Sequence, residues 1–117
     1  MARLSTHVLD LYRGGPASGM RIELNRVTGD RREPVRAAVT NRGGRTDEPL
    51  LSAEPLPGGV FELVFHAAEY FRSIGTPLTD PPFLDRVAIN FGIDPAAGSY
   101  HVPLLLTTNS YSTYRGS

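Results

Sequence analysis

Gly58-Gly59-Val60-Phe61-Glu62-Leu63-Val64-Phe65-His66-Ala67-Ala68-Glu69-Tyr70-Phe71-Arg72-Ser73-Ile74-Gly75 carries the clearest pair of elements in the chain. Two glycines open a run of β-branched and aromatic residues, which predicts a strand over 60–65. Residues 67–74 then read as a two-turn helix ended by Gly75. On either side of this centre only strands are expected. Towards the amino terminus, alternation predicts strands over 4–11, closed by Gly14-Gly15-Pro16, and over 20–27, closed by Gly29-Asp30. A third, over 35–40, runs into the turn Asn41-Arg42-Gly43-Gly44. Residues 49–56 hold at most a short edge strand, because Pro49, Pro55 and Pro57 remove backbone donors. Beyond the helix, Pro77, Pro81 and Pro82 make a loop irregular, and strands resume over 84–93, 99–107 and 110–115. Seven or eight short strands, with one short helix after the fifth, predict an all-β, two-sheet antiparallel sandwich.

Composition fits that expectation. The 12 Gly and 10 Pro, nearly a fifth of 117 residues, cut the chain into short elements. A chain of this length buries roughly two-thirds of its surface, enough for one core but not two, so residues 1–117 are expected to form one domain. Lys+Arg and Asp+Glu balance at 12 each, which gives no net attraction to nucleic acid or an anionic membrane. The absence of cysteine excludes disulfides, thiolate zinc sites and thiol catalysis. No apolar run has signal-peptide length or approaches the ~20 residues of a membrane span, so a cytoplasmic chain is expected.

Two strands depart from a sandwich pattern. In Tyr100-His101-Val102-Pro103-Leu104-Leu105-Leu106, Val102, Leu104 and Leu106 share one face while His101, Pro103 and Leu105 share the other. Both faces are largely apolar, so the outer one is expected to meet another subunit. The first strand behaves similarly, with Leu4, Thr6 and Val8 on one face and Ser5, His7 and Leu9 on the other. An oligomer with imidazoles at its interface follows as an expectation. Pro103 lacks a ladder donor and is expected at a bulge or an unpaired point.

The chemistry available is narrow. The chain has three histidines, the side chain whose ordinary pKa lies closest to neutrality. His66, at a strand end beside the helix start, reads as structural. No i,i+4 or His-x-His spacing supports a metal site, and no metal or cofactor is expected. Asn41-Arg42-Gly43-Gly44-Arg45 lacks the Lys-Ser/Thr of a phosphate loop, and no Gly-x-Ser-x-Gly elbow is present. The last eight residues, Ser110-Tyr111-Ser112-Thr113-Tyr114-Arg115-Gly116-Ser117, crowd aromatics and hydroxyls into a segment that would otherwise be a frayed edge strand.

Leu4-Ser5-Thr6-His7-Val8-Leu9-Asp10, Thr40-Asn41 with Gly44-Arg45, Tyr100-His101-Val102-Pro103-Leu104-Leu105-Leu106 and the final Tyr114-Arg115-Gly116-Ser117 together carry a resemblance. The chain resembles the transthyretin-related protein family, and within it the 5-hydroxyisourate hydrolases. Phe61-Glu62-Leu63-Val64-Phe65, Tyr70-Phe71, Pro82-Phe83-Leu84 and Phe91-Gly92-Ile93 extend the likeness over essentially the whole chain. Hormone-carrying transthyretins share the fold but lack the Tyr-Arg-Gly-Ser ending and the histidine pair. Two stretches depart from the family pattern: Leu106-Thr107-Thr108-Asn109 before the last strand, and Thr46-Asp47-Glu48 beside Arg45.

The resemblance implies a transthyretin-like sandwich that assembles as a homotetramer, a dimer of dimers, with active sites in its central channel. It implies hydrolysis of the small molecule 5-hydroxyisourate at a ring amide, giving 2-oxo-4-hydroxy-4-carboxy-5-ureidoimidazoline in urate (purine) catabolism. His7, Arg45, His101 and Ser117 match the family's catalytic positions, and Tyr114, Arg115 and Gly116 its substrate-binding ones. In that frame His7 is the general base, supported by Ser117; Arg45 meets developing negative charge; and His101 orients the substrate or returns the proton. The competing expectations are a transthyretin-like carrier of a small ligand and a sandwich used only for protein interaction.

Overall fold

The computed structural model describes residues 1–116. Among these, nine strands form two sheets. In the first, β1 (Ala2–Asp10) pairs with β8 (Tyr100–Leu106), which pairs with β9 (Tyr111–Thr113). The free side of β1 takes β2 (Gly15–Pro16) at one end and β5 (Leu51–Ala53) at the other. The second sheet has the order β4 (Arg31–Val39), β3 (Arg21–Thr28), β6 (Gly59–Phe65) and β7 (Val87–Ile93). A helix, α1 (Ala67–Ser73), follows β6, and a 3-10 turn spans Pro95–Ala97. Neither helix is long and apolar enough to cross a membrane.

Period-2 alternation builds the core. Leu4 and Val8 from β1 and Val102, Leu104 and Leu106 from β8 meet Ile22, Leu24, Phe61, Leu63 and Phe65 from the second sheet. Complete burial of a Leu or Phe side chain contributes about 1.5–3 kcal/mol, so these inward rows fix which face of each strand turns outward. Polar members of the inward row are satisfied. Thr6 Oγ1 donates to the Val102 carbonyl at 2.7 Å. Asp10, fully buried, accepts from the Tyr70 hydroxyl at 2.8 Å and from the Arg13 N–H at 3.1 Å. Burial, and then the bond to Asp10, push the Tyr70 hydroxyl above its ordinary pKa, so it stays a donor. This bond ties α1 to the end of β1.

The sandwich, the strand-then-helix order and the two-faced apolar strands agree with expectation, while four details differ. First, β1 and β8 run parallel, with Ser5 opposite His101 and His7 opposite Pro103; the other strand pairs are antiparallel. Second, Gly15 and Pro16 do not merely close a turn. Gly14, at φ 82°, reverses the chain early enough for them to pair with Asp10 and Leu9, which adds a strand before the helix. Third, β4 begins at Arg31 rather than residue 35. It is an edge strand exposed on both faces, and a register shift opposite Leu24 and Asn25 accommodates Pro34. Fourth, β7 begins at Val87, because the Asp85 carbonyl is committed to the Ala68 N–H at the helix start.

Pro103 is opposite His7 of β1 and unpaired only on its β9 side. The β8–β9 ladder covers Leu104 to Leu106, stops at Pro103, and resumes in the same register as a bridge between His101 and Gly116. Thr113 Oγ1 donates to the Pro103 carbonyl at 2.7 Å, so the position of the missing N–H faces β9 as well. The turn that departs from the family pattern closes on Thr107, whose Oγ1 accepts from the N–H groups of Asn109 and Ser110.

Candidate active site

The centre of the site is the outward face of the parallel β1–β8 pair. Ser5, His7 and Leu9 form one half-buried outward row, and His101 and Leu105 belong to the adjacent one. His7 and His101 are diagonal neighbours on that face, roughly 8 Å apart at their α-carbons by strand geometry. His101 is held from three directions. Its Nδ1 lies 2.8 Å from Ser5 Oγ. Its carbonyl accepts the Gly116 N–H at 2.7 Å. Its ring packs against Gly116, where a β-carbon would lie 2.8 Å from Cδ2. Burial, followed by the positive charges of Arg45 and His7, holds the His101 imidazole below its ordinary pKa of 6.5.

Arg45 arrives from the loop between β4 and β5, and backbone geometry places it. The Asn41 side chain organises this loop: Oδ1 accepts from the N–H groups of Gly43 at 2.9 Å and Arg45 at 3.2 Å, and Nδ2 donates to Asp47 at 3.0 Å. The Asn41 N–H donates to the Arg45 carbonyl at 2.7 Å. Gly44 then seats the loop on β1. Its carbonyl accepts the Val8 N–H at 2.8 Å, its φ is +75°, and a β-carbon there would lie 2.4 Å from the Val8 carbonyl oxygen. Only glycine permits that approach.

Arg45 and His101 share an open cleft of about 480 Å³ with Arg3, Ser5, Ser99 and Tyr100. Tyr114 and Arg115 are elsewhere. They line a separate cleft of about 240 Å³ with Tyr100, Val102 and the β7 residues 89–92. Arg115 lies 4.0 Å over the Tyr100 ring, and its Nη2 donates to the carbonyls of Ala97 at 3.2 Å and Ser99 at 3.0 Å. Ser117 lies outside the described residues. The structure thus gathers His7, Arg45, His101 and the Gly116 backbone on one face, while the Arg115 side chain packs over Tyr100.

His66 belongs to a different network. It is buried behind the second sheet, with Nδ1 accepting from Arg21 at 3.3 Å and Nε2 donating to Glu23 at 2.5 Å. Arginine only donates, so the proton of the neutral ring is on Nε2. Among the described residues no three His, Asp or Glu side chains converge as metal ligands. Reasoning from sequence overlooked Ser5 and Asn41. Asn41 two residues before a Gly-Gly pair was a legible loop organiser; Ser5 becomes visible only through the parallel register.

Half-buried imidazoles beside a forked cation can activate water and stabilise an oxyanion. Comparison with known proteins gives this arrangement a context. The profile of the HIUase/Transthyretin family matches residues 4–116. The 5-hydroxyisourate hydrolase of Deinococcus radiodurans is 55% identical over 97% of this chain and 95% of its own. The 5-hydroxyisourate hydrolase structure from Klebsiella pneumoniae superposes with a TM-score of 0.82 at 35% identity, covering both chains completely. The structure of (S)-allantoin synthase superposes with a TM-score of 0.90 at 43% identity; it covers 98% of this chain, which spans only 43% of that longer one. With the sandwich, the histidine pair and the arginine loop in place, these matches make the chain a member of the HIUase/Transthyretin family.

Proposed function

We propose that this chain is a hydrolase that opens the ring amide of 5-hydroxyisourate, giving 2-oxo-4-hydroxy-4-carboxy-5-ureidoimidazoline, in urate catabolism. The observation that carries this proposal is the placement of Arg45 and His101 on one cleft, with His7 on the same sheet face. The 55% identity to a 5-hydroxyisourate hydrolase supplies the substrate class.

In the proposed reaction His7 takes a proton from water as the oxygen attacks the ring carbonyl. Arg45 meets the negative charge that develops on the carbonyl oxygen, because its planar guanidinium matches a flat, oxygen-rich substrate. His101 orients the substrate or returns the proton. Ser117 is assigned to support His7. Tyr114, Arg115 and Gly116 are assigned to substrate binding: the Gly116 backbone bonds to His101, and Tyr114 and Arg115 line the adjacent cleft, which shares Tyr100 with that of Arg45 and His101.

The same proposal includes a homotetramer, a dimer of dimers, built from one transthyretin-like domain over residues 1–117 and located in the cytoplasm. Support for assembly comes from the half-buried Leu9 and Leu105 of the outward row, and from Leu11, Tyr12 and Tyr111, which are exposed near the same end of that sheet. Analytical ultracentrifugation at micromolar concentration checks it, and a monomer overturns it.

The function is tested by following the ultraviolet absorbance of freshly generated 5-hydroxyisourate with and without the protein. Accelerated decay is expected. An unchanged rate overturns the proposal, and ligand binding without turnover replaces it with a carrier.

A further inference from the structure

Ser5 is half-buried beside His101. The parallel register sets the two residues opposite each other across β1 and β8, and Ser5 Oγ lies 2.8 Å from Nδ1. Either atom of that pair can hold the hydrogen, and the choice decides what His101 offers to the cleft. If Nδ1 carries the proton, Nε2 presents a lone pair. If Ser5 donates, Nε2 carries the proton and presents it. Nε2 has no other partner among the described residues.

We propose that Ser5 is a positioning residue whose hydroxyl donates to His101 Nδ1 and holds the neutral imidazole with its proton on Nε2. Electrostatics of the cleft favours this direction. Arg3 and Arg45 line the same cleft and offer only donors, so the Ser5 oxygen turns its lone pairs towards positive charge when its hydrogen points to Nδ1. The reverse arrangement leaves the hydroxyl hydrogen in a cleft lined by those two cations, with no hydrogen bond from it to any other acceptor among the described residues. Burial, and then the Arg45 charge, favour the neutral ring, the state in which a tautomer choice exists.

The consequence for chemistry rests on the function proposed above. A neutral imidazole with its proton on Nε2 is a hydrogen-bond donor rather than a base, and surrendering that proton would leave an unfavourable imidazolate. His101 therefore joins Arg45 as a donor to the oxyanion, and His7 carries the proton alone. As the water oxygen bonds to the carbonyl carbon, His7 takes one water proton and becomes imidazolium. The carbonyl electron pair moves onto oxygen, facing Arg45 and His101. When the tetrahedral species collapses, the carbon–nitrogen bond breaks and the ring nitrogen receives the proton from His7.

Two measurements decide the matter. In wild-type protein, two-bond proton–nitrogen NMR correlations of His101 are expected to show an unprotonated Nδ1 and a protonated Nε2; the opposite pattern overturns the proposal whether or not the protein turns over 5-hydroxyisourate. Ser5→Ala is expected to abolish the tautomer preference and lower kcat about tenfold, with KM moving about twofold or less. Ser5→Thr, which keeps the hydroxyl, is expected to restore both readouts. A Ser5→Ala protein with wild-type kcat and an unaltered His101 spectrum overturns the positioning role. A wild type inactive on the substrate removes the proposed function and leaves the NMR result to judge Ser5.

Discussion

Gly116 lies against the imidazole of His101, with its N–H donating to the His101 carbonyl at 2.7 Å and no room for a side chain: a β-carbon would come within 2.8 Å of Cδ2. The Gly116 backbone is therefore a wall against this ring. Its contribution is absence of bulk.

Replacing that residue tests this relationship directly. Gly116→Ala forces the ring to move, since the methyl falls inside any ordinary contact distance. Displacement of a catalytic group by a fraction of an ångström to an ångström lowers turnover roughly 10- to 100-fold. Steady-state kinetics on 5-hydroxyisourate should record that loss in kcat, with urea unfolding little changed because Gly116 lies outside the core. Retention of full turnover would mean the ring yields without consequence.

His7 is the second point of test. As the group proposed to take the proton from water, His7 should be hard to replace: His7→Asn should lower kcat by about 100-fold or more while KM changes little. The half-buried position tolerates the smaller amide, so circular dichroism should match wild type. Turnover equal to wild type would remove His7 from the reaction.

Gly44 predicts a loss of both stability and function. Its φ of +75° and the 2.4 Å approach to the Val8 carbonyl leave no conformation for alanine without breaking the Val8–Gly44 hydrogen bond. Left-handed strain and the lost bond together cost about 2–3 kcal/mol. Urea unfolding of Gly44→Ala should show this as a lower midpoint, and KM should rise because Arg45 is carried by the next residue.

The pH dependence follows from His101. Its folded pKa lies below the ordinary 6.5, so between those two values the unfolded chain binds a proton that the folded chain refuses. The associated stability is fully present above about pH 6.5 and is lost as pH falls towards and through the depressed value. Proton NMR titration should give a His101 midpoint below 6.5. Arg45→Ala removes one of the charges responsible and should move that midpoint upward. A midpoint unmoved by the substitution would separate Arg45 from the ring electrostatically.

Legibility from sequence followed burial. β6 was readable because two glycines open a run of β-branched and aromatic residues, and α1 because Ala67, Ala68, Tyr70 and Phe71 are buried while Glu69 and Arg72 are not, a helical spacing. The first half of β4 was not readable, since an edge strand exposed on both faces has nothing to alternate. At the site, alternation alone put His7 and His101 on the outward side of their strands, and the resemblance supplied Arg45. Ser5 was silent because its partner lies 96 residues away and the pairing depends on two strands running parallel. The engagement of Arg115 was equally hidden: its acceptors are the carbonyls of Ala97 and Ser99, and backbone carbonyls have no signature in side-chain identity.

The parallel pairing of β1 with β8 also sets the timing of assembly. During synthesis Leu4 and Val8 emerge about 96 residues before Tyr100 and Leu104, the residues of the strand that covers them. Ser5 and His101 meet only after some hundred residues have been made. The middle of the first sheet and the machinery proposed to work on its surface thus form in one late, long-range closure, a class of event that loop entropy makes slow. A chain cut before residue 100 keeps β2 and β5 at the ends of β1 but lacks the strand that pairs with residues 4–10, and with it the His101 side of the proposed site.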